Sequence, residues 1–216
     1  MPINSVTSFS STPSPCPLPA GERVGVRGSI SDLSFLEIIQ SERPLEIEIG
    51  CGKGRFLFGQ ARRYPEINFL GIDRVAKWMK KRAGRVEKEG LNHLKFIKAD
   101  AREILNNHVP SYRVSVFYVY FPDPWAKRRH KKRRLVTSEF LALLHDRLAS
   151  GGQIQMATDD EDYFLGIKKA VSLSGIEWRG IRESSNQRFG EPLEKTNYEM
   201  KFEAQKKNIY YLELTK

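Results

Sequence analysis

LEIEIGCGKG, Leu45 to Gly54, sets a short strand-like run directly before three glycines at alternate positions, and a helix-compatible segment follows. Gly50, Gly52 and Gly54 let the backbone turn tightly and let a ligand approach the main chain, with the next helix N-terminus at hand for polar groups. The spacing departs from the dinucleotide loop G-x-G-x-x-G, whose sixth position here is Arg55. Glu48, just before the loop, would repel a pyrophosphate and hold an ammonium group. An amino-acid-bearing nucleoside suits that arrangement; taken by itself, the loop equally fits a glycine turn with no ligand.

Outward from this stretch the chain alternates strand-like runs with amphipathic ones. The runs are LEIEI (Leu45 to Ile49), NFLGI (Asn68 to Ile72), LKFIK (Leu94 to Lys98), VSVFYVY (Val114 to Tyr120) and GQIQMAT (Gly152 to Thr158). A helix over Glu161 to Leu173, a strand near Ile176 to Arg182, a helix after Thr196 and a final strand IYYLELT complete the pattern. This rhythm predicts an α/β fold: a doubly wound, mostly parallel seven-stranded sheet with helices on both faces.

Residues 1–29 are rich in Ser, Pro, Thr and Gly and lack apolar periodicity, so they do not repay the entropy of ordering. The expected organisation is a disordered or weakly ordered tail over residues 1–40, in which Leu33 to Ile39 fits a short helix, and one domain over residues 41–216. The net charge of +10 over 216 residues points to a polyanionic partner, whether nucleic acid, an anionic membrane surface or phosphorylated small molecules. No apolar run is long enough to span a bilayer. Cys16 and Cys51 lie far apart and fit a reducing cytosol rather than a disulfide framework. Their spacing and neighbours suggest no metal site.

Three carboxylates fall at successive strand ends. Glu48 closes the first strand; Asp73 closes the second, where a carboxylate accepts both ribose hydroxyls; Asp100 closes the third, where it can accept from an adenine amino group. Each aspartate alone fits a helix N-cap equally well. Together the three outline a crevice for S-adenosylmethionine at the sheet edge. The fourth strand delivers FPDPWAKRRHKKRR, Phe121 to Arg134. Prolines on both sides of Asp123 fix its direction beside Trp125, which suits reading the N–H edge of a flat base; a stiffened turn with Trp125 as filler is the alternative. The octet Lys127 to Arg134 is cationic at every position except His130. Such a run is a solvated face or, attached to a base-reading loop, a phosphate contact. KWMKKRAGR, Lys77 to Arg85, extends that surface or merely points its lysines to water. TDDE (Thr158 to Glu161) and TNYE (Thr196 to Glu199) both fit the capping box.

EIGCGKG, GID, KADA, YFPDPWAKRRHKKRR, MATDDEDY and TNYE, in this order, resemble the bacterial tRNA (guanine-N7-)-methyltransferase family from about Leu45 to the C-terminus. The resemblance implies a Rossmann-like class I methyltransferase acting in the cytoplasm on tRNA, at guanine 46 of the variable loop, as a monomer or homodimer. It implies an S-adenosylmethionine site lined by Glu48, Gly50, Gly52, Gly54, Asp73, Asp100 and Asp123, with Asp123 also catalytic. It further implies substrate contacts from Lys127, Asp159, Thr196, Asn197, Tyr198 and Glu199, and it is compatible with backbone contacts from Arg128, Arg129, Lys131, Lys132, Arg133 and Arg134. Asp73 stands where glutamate is common in the family, which shortens the reach to a ribose and keeps the charge.

Overall fold

In the computed structural model, which describes residues 34–189 and 194–216, the run Leu45–Ile49 is strand β1 and lies at the middle of the sheet. All five of its residues are buried, as a parallel strand covered on both faces requires. Period-2 alternation splits them. Leu45, Ile47 and Ile49 join one core layer, while Glu46 and Glu48 point to the opposite layer, among Tyr118 and Tyr120.

The other strands are β2 (Asn68–Asp73), β3 (Leu94–Lys98), β4 (Val114–Tyr120), β5 (Leu148–Thr158), β6 (Gly180–Ser185) and β7 (Tyr210–Thr215). They form the expected seven-stranded sheet in the order β3-β2-β1-β4-β5-β7-β6, with β1 to β5 parallel and β7 antiparallel to both neighbours. One face carries α1 (Phe35–Gln40), α4 (Ala101–Asn107), α5 (Ser138–Arg147) and α6 (Glu161–Leu173); the other carries α2 (Arg55–Arg63), α3 (Met79–Glu89) and α7 (Asn197–Ala204). The chain winds from β1 outward to β3 and then returns to place β4 on the other side of β1. That reversal opens a crevice at the carboxyl ends of β1 and β4.

Of the expected tail, residues 1–33 lie outside the described residues. The short helix expected over Leu33 to Ile39 is present as α1, and it packs on the domain, with Phe35, Ile38 and Ile39 all buried in the core. Each such side chain contributes about 1.5–3 kcal/mol. Arg113 holds the helix end, donating to the carbonyls of Ile39 and Ser41 at 2.7 Å each. The sixth strand also differs from expectation, running Gly180–Ser185 rather than from Ile176. It is an edge strand with one partner, mostly exposed, so it carries little apolar pattern, while Ile176 and Trp178 pack on the core from the segment before it. Strand β5 starts at Leu148, four residues before the apolar run, because it crosses an irregularity in the pairing near Gly151 (φ 73°).

Candidate active site

The glycine loop is locked to the end of β2. Gly50 N donates to the Ile72 carbonyl at 2.8 Å, and Gly52 N donates to Asp73 Oδ2 at 2.8 Å. Asp73 Oδ1 accepts from Val75 N at 2.8 Å. All three loop glycines have left-handed φ, and a Cβ on Gly54 would meet Phe96 Cζ at 2.7 Å. Asp73 therefore clips the loop in place and keeps a free lone pair on each oxygen for a ligand. Asp100 serves as the N-cap of α4, accepting from Arg102 N at 2.9 Å, with its second oxygen 3.9 Å from Arg74.

Glu48 is the anomaly of the crevice. It is 4 % exposed, and its Oε2 has no hydrogen-bond partner among the described residues. Burial pushes its carboxyl pKa up to about 8; Asp73 and Glu199 add to the rise, and Arg188 and Arg82 oppose it. Glu46, below it on the same strand, is raised to about 7 chiefly by burial, against a 2.8 Å hydrogen bond from the Tyr118 hydroxyl. A buried acceptor left without a donor is costly unless a ligand supplies one.

The FPDPW loop leaves β4 at the crevice wall, with Phe121 N bonded to the Ala157 carbonyl at 2.7 Å. Phe121 (φ 52°) and Trp125 (φ 46°) are both left-handed without being glycine. Such positions cost about 1–3 kcal/mol each and persist where the surroundings over-determine them. Asp123, between them, is exposed and makes no hydrogen bond or ion pair among the described residues. Trp125 does not present a bare stacking face: the Arg133 guanidinium lies 5.1 Å from its ring centroid and His130 packs edge-on at 5.9 Å. The indole anchors a 3-10 turn, Arg128–Arg133, formed by the basic octet.

Lys127, Arg128, Arg129, Lys132 and Arg133 are exposed on that turn. Arg134 departs from the expected row of free cations. Its side chain is 11 % exposed, Nε donates to the Pro124 carbonyl at 2.8 Å, and Nη2 pairs with Asp162 at 2.6 Å. It fastens the octet to α6 because Asp162 stands on the first turn of that helix. Lys131 pairs with the same carboxylate at 2.6 Å.

TNYE forms the capping box: Glu199 N donates to Thr196 Oγ1 at 3.0 Å and Thr196 N donates to Glu199 Oε2 at 2.7 Å. Glu199 is 2 % exposed and also accepts from Arg188 and from the Tyr211 hydroxyl at 3.0 Å. Its oxygens are thus committed within the protein. Tyr198 is 53 % exposed beside Phe121. TDDE is not a capping box. Strand β5 runs through Thr158, and the N-cap of α6 is Asp160, accepting from Tyr163 N at 2.7 Å. Asp159 pairs with Lys207 at 3.1 Å.

Sequence reasoning missed Arg188. Its guanidinium lies 4.7 Å from the Tyr120 ring centroid and bonds Glu199, so it is the counter-ion of the acidic layer that Glu48 enters. A single arginine in a loop has no periodicity to reveal it. Among the described residues no group of His, Cys, Asp or Glu could hold a metal ion, and no helix is long and apolar enough to cross a membrane.

A family model described as a putative methyltransferase matches residues 42–212. The tRNA (guanine-N(7)-)-methyltransferase of Rubrobacter xylanophilus is 36 % identical, covering 85 % of this chain and 82 % of that one. The protein of the same name from Staphylococcus saprophyticus is 35 % identical, over 82 % and 83 %. Among solved structures, the 16S rRNA methyltransferase KamB superposes with a TM-score of 0.59 at 14 % identity, covering 87 % of this chain and 94 % of that one. An antibiotic-related methyltransferase gives 0.56 at 20 % identity, covering 90 % and 96 %.

Proposed function

Because the chain belongs to the tRNA (guanine-N(7)-)-methyltransferase family, we propose that it methylates N7 of a guanine in tRNA, guanine 46 of the variable loop, in the cytoplasm. The observation that carries the reading is the pairing, at neighbouring strand ends, of the partnerless buried carboxyl of Glu48 with the exposed, proline-fixed carboxylate of Asp123.

S-adenosylmethionine, when bound, supplies a methyl group on a positively charged sulfur. The residues fit it. Glu48 offers an acceptor to its ammonium, the glycine loop leaves the main chain open to close approach, and Asp73 and Asp100 stand at the next two strand ends for the ribose and the adenine. Guanine N7 carries an in-plane lone pair and no proton, so the protein needs no general base. It must orient the base and favour positive charge moving onto the purine. Asp123 does both: its two oxygens accept from N1–H and the exocyclic amine, and its charge faces the ring. The cations Lys127, Arg128, Arg129, Lys132 and Arg133 take the RNA backbone, and Lys131 reaches it beside its pair with Asp162. Asn197 and Tyr198, at the exposed start of α7, contact the substrate; Thr196 and Glu199 hold that helix start in place. Asp159 supports the same wall through Lys207.

The test is methyl transfer from labelled cofactor to unmodified tRNA, followed by borohydride reduction and aniline scission, which cuts at N7-methylguanosine. A cut at the variable loop is expected; labelled tRNA that resists scission would overturn the N7 assignment.

Glu48 makes cofactor binding pH-dependent. With the carboxyl raised to about 8, the unliganded protein holds a proton there at neutral pH, and an ammonium ligand must expel it. Affinity is expected to rise toward pH 8 by up to about tenfold per unit. The same linkage makes the unliganded fold lose stability as pH climbs from the ordinary carboxylate range through 8, since only the folded state keeps the proton. Calorimetry between pH 6 and 9 on the wild type and Glu48→Gln checks this. A wild-type profile as flat as that of the glutamine variant refutes the ammonium contact.

A further inference from the structure

A cavity of about 300 Å³ opens between α2 and α3 beside the glycine loop, lined by Lys53, Arg55, Trp78, Lys81, Arg82 and Arg85 among others; among the described residues no carboxylate lines it, and Arg55 pairs with Glu194 at 2.8 Å. Neither Lys53 nor Lys81 has a carboxylate partner among the described residues. Lys53 Nζ rests 5.0 Å over the Trp78 ring. Arg85 spans Phe58 at 4.0 Å and pairs with Glu89 at 2.7 Å, outside the cavity.

Arg82 gives this wall its chemistry. It is 1 % exposed, and among the described residues its guanidinium hydrogen-bonds only sulfur, Cys51 Sγ at 2.7 Å and Met79 Sδ at 3.2 Å, while Glu48 feels its charge without a hydrogen bond to it. Its Nε has no hydrogen-bond partner among the described residues. Buried charges are normally paired with an opposite charge. Thioether and thiol are weak acceptors and supply none. A buried cation so held, with two unpaired lysines around it, is a receptor for an oxyanion.

Its place in the fold says which one. The octet hangs from β4 and this cavity from β2, and β1 with Glu48 lies between them. The octet is fastened to α6 on one face of the sheet and the cavity lies between α2 and α3 on the other, so the two basic surfaces flank the crevice at the carboxyl end of β1. A nucleotide held over that crevice carries a phosphate to either side. We propose that the Lys53, Lys81 and Arg82 cavity is a second phosphate subsite, which takes the phosphodiester of the tRNA strand on the far side of the target guanine from the octet. The subsite rests on the reading of the chain as a tRNA methyltransferase.

The source of the oxyanion is separable by experiment, since the cofactor also carries a carboxylate. Lys53→Ala/Lys81→Ala removes the two exposed cations and leaves buried Arg82 in place, with Lys88→Ala, on α3 outside the cavity, as the charge control. The affinity for tRNA is measured across potassium chloride concentrations, and the affinity for S-adenosylmethionine in parallel. The double variant is expected to weaken tRNA binding about tenfold and to make the slope of log affinity against log salt shallower by about 1 to 2, with cofactor affinity and the Lys88→Ala slope unchanged. Unchanged tRNA affinity and slope in a protein that methylates tRNA overturns the subsite alone. Weakened cofactor binding with intact tRNA binding assigns the cavity to the cofactor carboxylate and also overturns it. A wild type that neither binds nor methylates tRNA removes the underlying functional reading, and the subsite with it.

Discussion

Asp123→Asn is expected to lower turnover on tRNA about a hundredfold, the scale seen when one preorganised group that stabilises developing charge is removed. The substitution keeps the shape of the side chain and both flanking prolines, so the left-handed Phe121 and Trp125 stay as they are. It changes two things at the base. One acceptor becomes an amide N–H that faces a guanine donor, and the negative charge that favours methylated, cationic guanine is lost. Single-turnover assays at saturating tRNA and cofactor isolate the effect, and calorimetry with the cofactor should return an affinity within about threefold of wild type, because Glu48, Asp73 and Asp100 are untouched. Turnover near that of wild type would show that Asp123 neither orients the base nor answers its charge.

The first four strands were readable as short, mostly apolar runs bounded by turn residues, the mark that strands covered on both faces leave in a sequence, and the prolines around Asp123 marked a stiff loop after the fourth. Strand β6 was misplaced since an edge strand with one neighbour and mostly exposed residues carries no such run. Asp73 and Asp100 show a subtler limit. Sequence offered capping or ligand contact as alternatives, yet one carboxylate has enough lone pairs for both: Asp100 caps α4 with Oδ1, and Asp73 holds Gly52 and Val75 on separate oxygens. In the octet, spacing gave eight positions and only packing distinguished them. Arg134 turns inward because Asp162 and the Pro124 carbonyl lie beneath it, a pairing across 28 residues that no local pattern encodes. The same holds for Arg188, whose partners Tyr120 and Glu199 come from two other elements.

That hidden arginine makes Glu199→Ala the larger stability defect. The carboxylate accepts from Thr196 N, Tyr211 and Arg188 in a region where the arginine side chain is 13 % exposed. Truncation leaves the guanidinium buried without its partner, which costs about 3–5 kcal/mol, and half of the capping box goes with it. Urea unfolding of the cofactor-free protein should show that loss. Activity measured well below the melting temperature should fall only as far as the folded fraction does, because the carboxylate is spent inside the protein and does not face the base. Arg188→Met/Glu199→Gln should recover most of the stability, since removing both charges together leaves neither one stranded. A Glu199→Ala protein of wild-type stability and little activity would reverse the assignment: the carboxylate would then belong to the guanine pocket, and the cap would be secondary.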